Sequence, residues 1–120
     1  MGLYQGTLSR ENLLGAGRQG VLQILCEGHR PLLELLGRTS GRDVDKFTKI
    51  ERAGFRLVER FDGGYPTLED CAGSMLVEVA SEPIPCGDHD VVILDVLDHD
   101  PGAAQSDPLY TAKLREWGFL

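Results

Sequence analysis

The sequence predicts a mainly β fold with short helices, an α+β architecture. Two apolar runs, residues 74–80 and residues 91–97, flank a segment in which Pro83, Pro85 and Gly87 interrupt any helix and any central strand. The second run begins with four apolar residues and has no helical stripe, which favours a largely buried strand. Fifteen glycines, most of them at segment ends, indicate tight turns. We therefore expect the two runs to form a long β-hairpin.

Length and composition narrow the class of protein. A chain of 120 residues is expected to form a single domain over residues 1–120. The formal net charge of −7 argues against a nucleic-acid duplex as partner, because binding phosphates requires clustered Lys and Arg. No apolar stretch has the length of a membrane span, and residues 1–19 lack a signal-peptide core. Three widely spaced cysteines favour reduced thiols and a cytoplasmic location over a disulfide framework: Cys26, Cys71 and Cys86.

The first quarter of the chain predicts a strand, a helix and a second strand. Residues 3–8 fit a short edge strand. Ser9 is the expected N-cap of a helix that buries Leu13 and Leu14, because its hydroxyl can accept a bond from a free backbone N–H. Glycines end this helix, and residues 21–25 alternate weakly, as a strand does.

Two further helices are expected in the middle of the chain. Pro31 suits the first turn of a helix over residues 32–36, which Gly37 would stop. Ser40, with an acidic residue three positions later, resembles a capping box, so a helix is expected over residues 43–52. Three apolar side chains of that helix share one face: Val44, Phe47 and Ile50.

The rest of the chain surrounds the predicted hairpin. Alternating apolar and charged residues indicate a half-exposed strand over residues 55–61, with a turn at residues 62–64. After the hairpin, residues 98–108 are rich in Asp, Pro and Gly and predict a loop. Residues 109–117 are expected to form a short closing helix.

Two short segments resemble an anion-binding cradle. Residues 40–43 place a hydroxyl, a flexible glycine and a guanidinium at a predicted helix start, where free N–H groups and the helix dipole favour phosphate. Residues 7–10 repeat this pattern at the first helix. The alternative is ordinary capping beside a solvated arginine, and the residues alone leave both interpretations open.

His89 lies in the polar turn of the predicted hairpin, within the sequence Gly-Asp-His-Asp of residues 87–90. An imidazole titrates near neutral pH, so His89 is a candidate general acid or base, or a contact to a ligand. The alternative is a turn histidine tied to Asp88 or Asp90. Spacing alone favours the turn histidine slightly.

Motifs for metal and dinucleotide binding are weak. Cys26 and His29 form one half of a metal site, with no matching second pair, so no metal site is predicted. Residues 15–20 match the letters G-x-G-x-x-G. They follow a predicted helix and precede a strand, which reverses the order that dinucleotide binding requires. We therefore reject a Rossmann site.

Several segments together resemble the flavin-reductase-like family of FMN-binding proteins. Order and spacing agree along nearly the whole chain, and the sequences SGRDVDKF and GDHD together are fairly specific. The matching segments are residues 2–14, 21–25, 27–29, 36–47, 66–72, 87–90, 107–114 and 117–120.

The resemblance implies a split β-barrel that holds FMN non-covalently at a homodimer interface, and transfer of electrons from NADH or NADPH to a flavin or another acceptor. Relatives carry opening strands before the first matching segment, so the barrel is expected to be incomplete at its N-terminus. By position, the cofactor-binding residues would be Thr7, Ser9 and Arg10 beside the phosphate and ribityl chain, Ser40, Gly41, Arg42 and Lys46 near the flavin, and Tyr110 in the closing segment. His89 would lie on the nicotinamide or substrate side as the catalytic residue.

Two functions from different classes follow from these observations. The first is an FMN-binding oxidoreductase of the flavin-reductase type. The second is a catalytically silent split-barrel relative that acts as a dimeric binding or structural protein. Both predict a homodimer, because the apolar strands and an uncovered sheet edge need a partner to cover them.

Overall fold

The computed structural model describes residues 1–15, 17–102 and 107–120. Within these residues the chain is mainly β with short helices, so the predicted class is confirmed. The strands are β1 (Gly2–Tyr4), β2 (Gln19–Ile24), β3 (Leu57–Arg60), β4 (Tyr65–Leu68), β5 (Gly73–Val79), β6 (Ile84–Cys86), β7 (His89–Val91) and β8 (Leu94–Asp100). The helices are α1 (Leu8–Leu14), α2 (Leu33–Arg38), α3 (Lys46–Arg52) and α4 (Thr111–Glu116), with a 3-10 helix over Glu27–Leu32.

The described strands form three antiparallel sheets, with the orders β1-β7-β6, β2-β5-β8 and β3-β4. The two apolar runs pair as predicted, with Val79 opposite Leu94 and Ser74 opposite Asp100. The segment between them is not a simple turn, because β6 and β7 form their own hairpin and pair with β1. Pro85 fits inside β6 because that strand lies at a sheet edge, where a missing N–H is tolerated.

The prediction of one largely buried strand over residues 91–97 is wrong. The run divides between β7 and β8, which belong to different sheets. Val92 is 1% exposed, but Ile93 is 59% and Val96 57% exposed. The physical reason is that β8 lies at the edge of its sheet, so its apolar side chains gain little cover from within the chain.

Two predicted helix caps are also wrong. Thr7, not Ser9, caps α1, and its hydroxyl accepts a bond from the backbone N–H of Arg10 at 3.3 Å. Asp45, not Ser40, caps α3, with its carboxylate accepting from Thr48 N at 3.2 Å. In each segment a second polar side chain stands nearer to the free N–H groups of the first turn.

The remaining boundaries differ more modestly. The chain enters α2 through the 3-10 helix, which contains Pro31, and Gly37 lies inside α2 rather than after it. Strand β4 was not predicted, but the turn at residues 62–64 is confirmed and joins it to β3. Of the predicted loop over residues 98–108, residues 98–100 belong to β8 and residues 103–106 lie outside the described part.

Two apolar clusters fix the elements around the site. The first cluster packs β1 and α1 against β5 and consists of Leu3, Leu13, Val79 and Val92. The second packs the 3-10 helix, α3 and β4 together and consists of Leu32, Ile50, Leu68 and Cys71. The three cysteines are free thiols. Among the described helices, none combines the length and the apolar character needed to cross a bilayer.

Candidate functional site

Two adjoining cavities lie where the start of α1 meets the turn that leads into α3. The larger has a volume of about 820 Å³ and the smaller about 370 Å³. Because six lining residues, from α1, α2, the turn and the start of α3, border both cavities, the two form one continuous site. The shared residues are Leu8, Ser9, Leu36, Gly41, Arg42 and Lys46.

The larger cavity has an extensive apolar wall. Val44, Phe47 and Ile50, the face predicted to be buried on the third helix, line this cavity. Strand residues complete the wall: Leu25, Leu57, Pro66 and Leu68. A cavity of several hundred Å³ with an apolar wall and a few polar groups is typical of sites for organic ligands and cofactors.

The smaller cavity is polar. Residues of the two predicted anion-binding segments meet here, although more than thirty positions separate them in the sequence. Ser40 shapes the turn, because its hydroxyl accepts from Arg42 N at 3.1 Å and its carbonyl accepts from Val44 N at 3.2 Å. The polar lining residues are Thr7, Ser9, Arg38, Thr39, Ser40, Arg42 and Lys46.

Gly41 allows the turn to approach α1 closely. A Cβ atom at this position would lie 3.0 Å from Leu8 Cδ2. A side chain here would therefore press on the Leu8 side chain, which would have to shift by a few tenths of an ångström.

The charges at the site are partly compensated. Arg42 Nη2 lies 2.7 Å from Glu11 Oε1, and both side chains are about half exposed. The hydrogen bond from Arg42 lowers the pKa of the Glu11 carboxyl. Lys46 Nζ donates to the carbonyl of Leu36 at 3.2 Å. Asp43 and Asp45 also border the larger cavity. An anion that enters the site therefore competes with acidic side chains of the chain for the positive charges.

Arg10 is directed away from both cavities. Its Nε atom lies 2.5 Å from Asp90 Oδ2, and Gln5 Nε2 donates to the other oxygen at 3.0 Å. Asp90 is 3% exposed, so it requires these partners. The hydrogen bonds from Gln5 and then Arg10 lower the pKa of the Asp90 carboxyl.

His89 and Tyr110 also lie outside the lining of the two cavities. The ring of His89 lies 3.9 Å from that of Tyr4, between centroids, and its Nδ1 is 2.7 Å from Asp88 Oδ1. Tyr110 precedes α4 and is 66% exposed. The structure thus brings together Thr7, Ser9, Ser40, Gly41, Arg42 and Lys46, but not Arg10, His89 or Tyr110.

Several polar residues at or beside the site were missed from the sequence, among them Arg38, Thr39 and Asp45. Asn12 and Gln23 line the larger cavity, and Glu11 pairs with Arg42. Periodicity could have found two of them. Asn12 follows Leu8 by four positions on a helix. Gln23 lies on β2, two positions before Leu25, which directly follows the end of that strand.

Comparison with known proteins agrees with this architecture. The chain is similar to an FMN-binding protein from Thermus thermophilus, with 26% identity and a TM-score of 0.68 over 90% of this chain and 57% of that one. It also resembles the NADH:FAD oxidoreductase of Streptomyces globisporus, with 13% identity and a TM-score of 0.72 over 90% of this chain and 60% of that one. A third similar structure is a homolog of nitrilotriacetate monooxygenase component B from Mycobacterium thermoresistibile. Its identity is 21% and its TM-score 0.69, over 90% of this chain and 54% of that one.

The chain therefore spans less than two thirds of the length of each of these relatives. No curated protein matches it. The three open sheets are consistent with the split barrel that the resemblance implies, and no closed barrel forms among the described strands. Residues 6–117 match the flavin reductase like domain, and the chain belongs to this family.

Proposed function

We propose that this chain binds FMN across the two cavities, with the phosphate in the smaller one and the ring system against the apolar wall of the larger one. The observation that carries the proposal is the meeting, beside that wall, of the hydroxyl-bearing start of α1 with the turn that carries Ser40 and Arg42. Membership of the family and likeness to an FMN-binding protein support it.

The residues at the site fit such a cofactor. Ser9, Ser40 and Thr7 offer hydroxyl groups, and Arg42 and Lys46 offer positive charge for a phosphate. The apolar side chains of α3 and the neighbouring strands offer a sheltered surface for an aromatic ring system. To bind a phosphate, Arg42 would have to give up its ion pair with Glu11 or divide its hydrogen bonds between Glu11 and the phosphate.

We further propose that NADH or NADPH is the electron donor and that a flavin or another compound is the acceptor. Bound FMN would supply the hydride- and electron-transfer chemistry. The chain would bind and orient the cofactor and exclude water from one face of its ring. A structural relative that is an NADH:FAD oxidoreductase supports this class of donor.

A homodimer is part of the proposal. Four apolar residues on or beside the β2-β5-β8 sheet are at least 40% exposed: Ile24, Ile93, Val96 and Leu97. Edge strands with exposed apolar residues tend to pair with another chain. A second copy would cover them in an obligate interface, for which a total buried area on the order of 2,000 Å² is typical.

One observation favours the second function, a catalytically silent dimeric protein. Arg42 already pairs with Glu11, and Asp43 and Asp45 stand nearby, so the phosphate site is partly neutralised by the chain itself. Loss of FMN binding would leave the fold unchanged, because neither apolar cluster depends on these charges.

A flavin titration separates the two functions. FMN and riboflavin are titrated into the purified chain, with flavin fluorescence as the readout, and NADH and NADPH oxidation is then assayed. We expect saturable binding of FMN that exceeds that of riboflavin, which lacks the phosphate. A chain that binds neither flavin supports the silent protein. Equal affinity for the two flavins would reject the assignment of the phosphate to the smaller cavity.

A further inference from the structure

The buried carboxylate of Asp90 bonds to both ends of one short segment. Gln5 Nε2 donates to its Oδ1 at 3.0 Å, and Arg10 Nε donates to its Oδ2 at 2.5 Å. The four residues between these two donors, residues 6–9, all line the smaller cavity. One side chain therefore holds the two ends of the segment that forms one wall of the proposed phosphate site.

Strand pairing places this carboxylate on the covered side of the β1-β7-β6 sheet. Asp90 is directly opposite Leu3 of β1, and residues directly opposite in an antiparallel pair share a face of the sheet. Leu3 belongs with Leu13 of α1 to the first apolar cluster. Asp90 thus occupies a position suited to an apolar residue. A carboxylate here costs desolvation free energy, so it requires the bonds that it accepts from the segment.

The segment also has bonds within itself. Thr7 Oγ1 donates to Tyr4 O at 2.9 Å and accepts from Arg10 N at 3.3 Å. These bonds shape the turn, whereas the bonds of Asp90 attach it to a strand that is eighty or more positions away in the sequence. Gln5 attaches the end that follows β1, and Arg10 attaches the end that lies in α1. The hydroxyl groups between them are therefore held in one position relative to the sheet.

We propose that Asp90 is a positioning residue for the phosphate of the cofactor, because it binds Gln5 and Arg10 together and so preorganises residues 6–9. This inference rests on the proposed function, since it takes the smaller cavity as the phosphate site. A preorganised wall raises affinity because less conformational freedom is lost when the ligand binds. Riboflavin lacks the phosphate, so the effect should be larger for FMN than for riboflavin.

Two other roles of Asp90 predict different results. If Asp90 only stabilises the fold, its loss lowers the melting temperature and leaves the preference of the folded chain for FMN over riboflavin unchanged. If Asp90 only keeps Arg10 away from the phosphate, its loss frees the arginine and raises FMN affinity. A lower preference for FMN in the folded protein is expected from positioning alone.

Gln5→Ala tests the positioning without a change of charge. Because Gln5 is exposed, the variant should fold and keep the ion pair of Arg10 with Asp90. We expect FMN affinity to fall about two- to ten-fold, the cost of ordering one or two side chains on binding, and riboflavin affinity to fall by no more than about two-fold. Gln19→Ala is the matched control, because it removes an amide that accepts from Tyr65 Oη at 3.0 Å outside the lining of both cavities. It should leave both affinities unchanged.

Asp90→Asn is the second variant. An amide oxygen can replace only one of the two carboxylate oxygens as acceptor, so Gln5 or Arg10 loses its partner. The titration is made at about 0.5 M salt, where the change in net charge is largely screened. FMN affinity should fall at least as far as in Gln5→Ala. Without flavin, amide hydrogen exchange of residues 6–10 should be faster in both variants than in the Gln19→Ala control, because local opening then costs less free energy.

The outcomes separate this inference from the proposed function. A wild-type preference for FMN that persists in full in Gln5→Ala overturns the inference alone, even if Asp90→Asn does not fold. Unchanged hydrogen exchange of residues 6–10 in Gln5→Ala, or tighter FMN binding by folded Asp90→Asn at high salt, also overturns it. A wild-type chain without any preference for FMN over riboflavin overturns the phosphate site and the inference together.

Discussion

Replacement of Glu11 by Gln tests whether the smaller cavity binds a phosphate. The substitution keeps the size of the side chain but removes the charge that lies 2.7 Å from Arg42. Both partners are about half exposed, so solvent screens their attraction and the change should be modest. We expect FMN affinity to rise about two- to five-fold, the range for an exposed ion pair. Riboflavin affinity should not change.

Arg42→Ala should act in the opposite direction. It removes the cation itself, and loss of a charge-assisted hydrogen bond typically weakens binding about ten- to one-hundred-fold. Glu69→Gln is the matched control, since Glu69 pairs with Arg56 in another exposed ion pair that borders neither cavity.

The assay is a fluorescence titration of FMN and riboflavin at low salt and at about 0.5 M salt, where screening should diminish the effect of Glu11→Gln. The reasoning is refuted if Glu11→Gln lowers FMN affinity, or if Arg42→Ala leaves it unchanged. Equal gains for FMN and riboflavin in Glu11→Gln would also refute it, because the gain would then not involve the phosphate.

Four further predictions follow from particular contacts. His89→Asn should reduce turnover with FMN still bound if His89 serves hydride transfer; an unchanged rate per folded molecule with a lower melting temperature would instead make it a turn residue. Asp90 has a lowered pKa, so its contribution to stability is complete above about pH 4 and disappears as the pH falls through that lowered value; Asp90→Asn should flatten this part of an acid-unfolding curve. Gly102→Ala should lower the unfolding free energy by at least about 2 kcal/mol in a denaturant titration, because φ is +74° and the new Cβ would lie 2.5 Å from Cys71 O. In the same titration Gly37→Ala, which has open space around the Cβ, should be neutral or stabilising by about 0.5–1 kcal/mol. The melting temperature should rise with protein concentration if folding is coupled to dimer formation, and sedimentation of a stable monomer with a concentration-independent melt would exclude that coupling.

The pairing of the two apolar runs could be predicted because their composition alone indicates strands. The β6–β7 hairpin could not, because each of its strands has only three residues and β6 contains Pro85, so neither has a strand signal of its own. Their pairing depends on β1, more than eighty positions away in the sequence. Short strands of this kind are specified by tertiary contacts rather than by local preference.

Burial was harder to predict than strand formation. The sequence of residues 91–97 shows apolarity, but not which element covers each side chain. Val92 joins the cluster of Leu3 and Val79, whereas Ile93 and Val96 remain exposed. An apolar residue at a sheet edge has the same sequence signature whether its cover comes from the same chain or from a partner.

The two arginines of the predicted anion-binding segments show why a motif does not determine a site. Arg10 and Arg42 each follow a small or hydroxyl-bearing residue near a helix start. Arg10 is held by Asp90, which is only 3% exposed. If Arg10 moved away, the charge of this carboxylate would be buried without a cation. Arg42 is held by the half-exposed Glu11, which water can solvate when the arginine leaves. Only Arg42 can therefore exchange its partner for a ligand at low cost, and the sequence could not show this because Asp90 is eighty positions from Arg10.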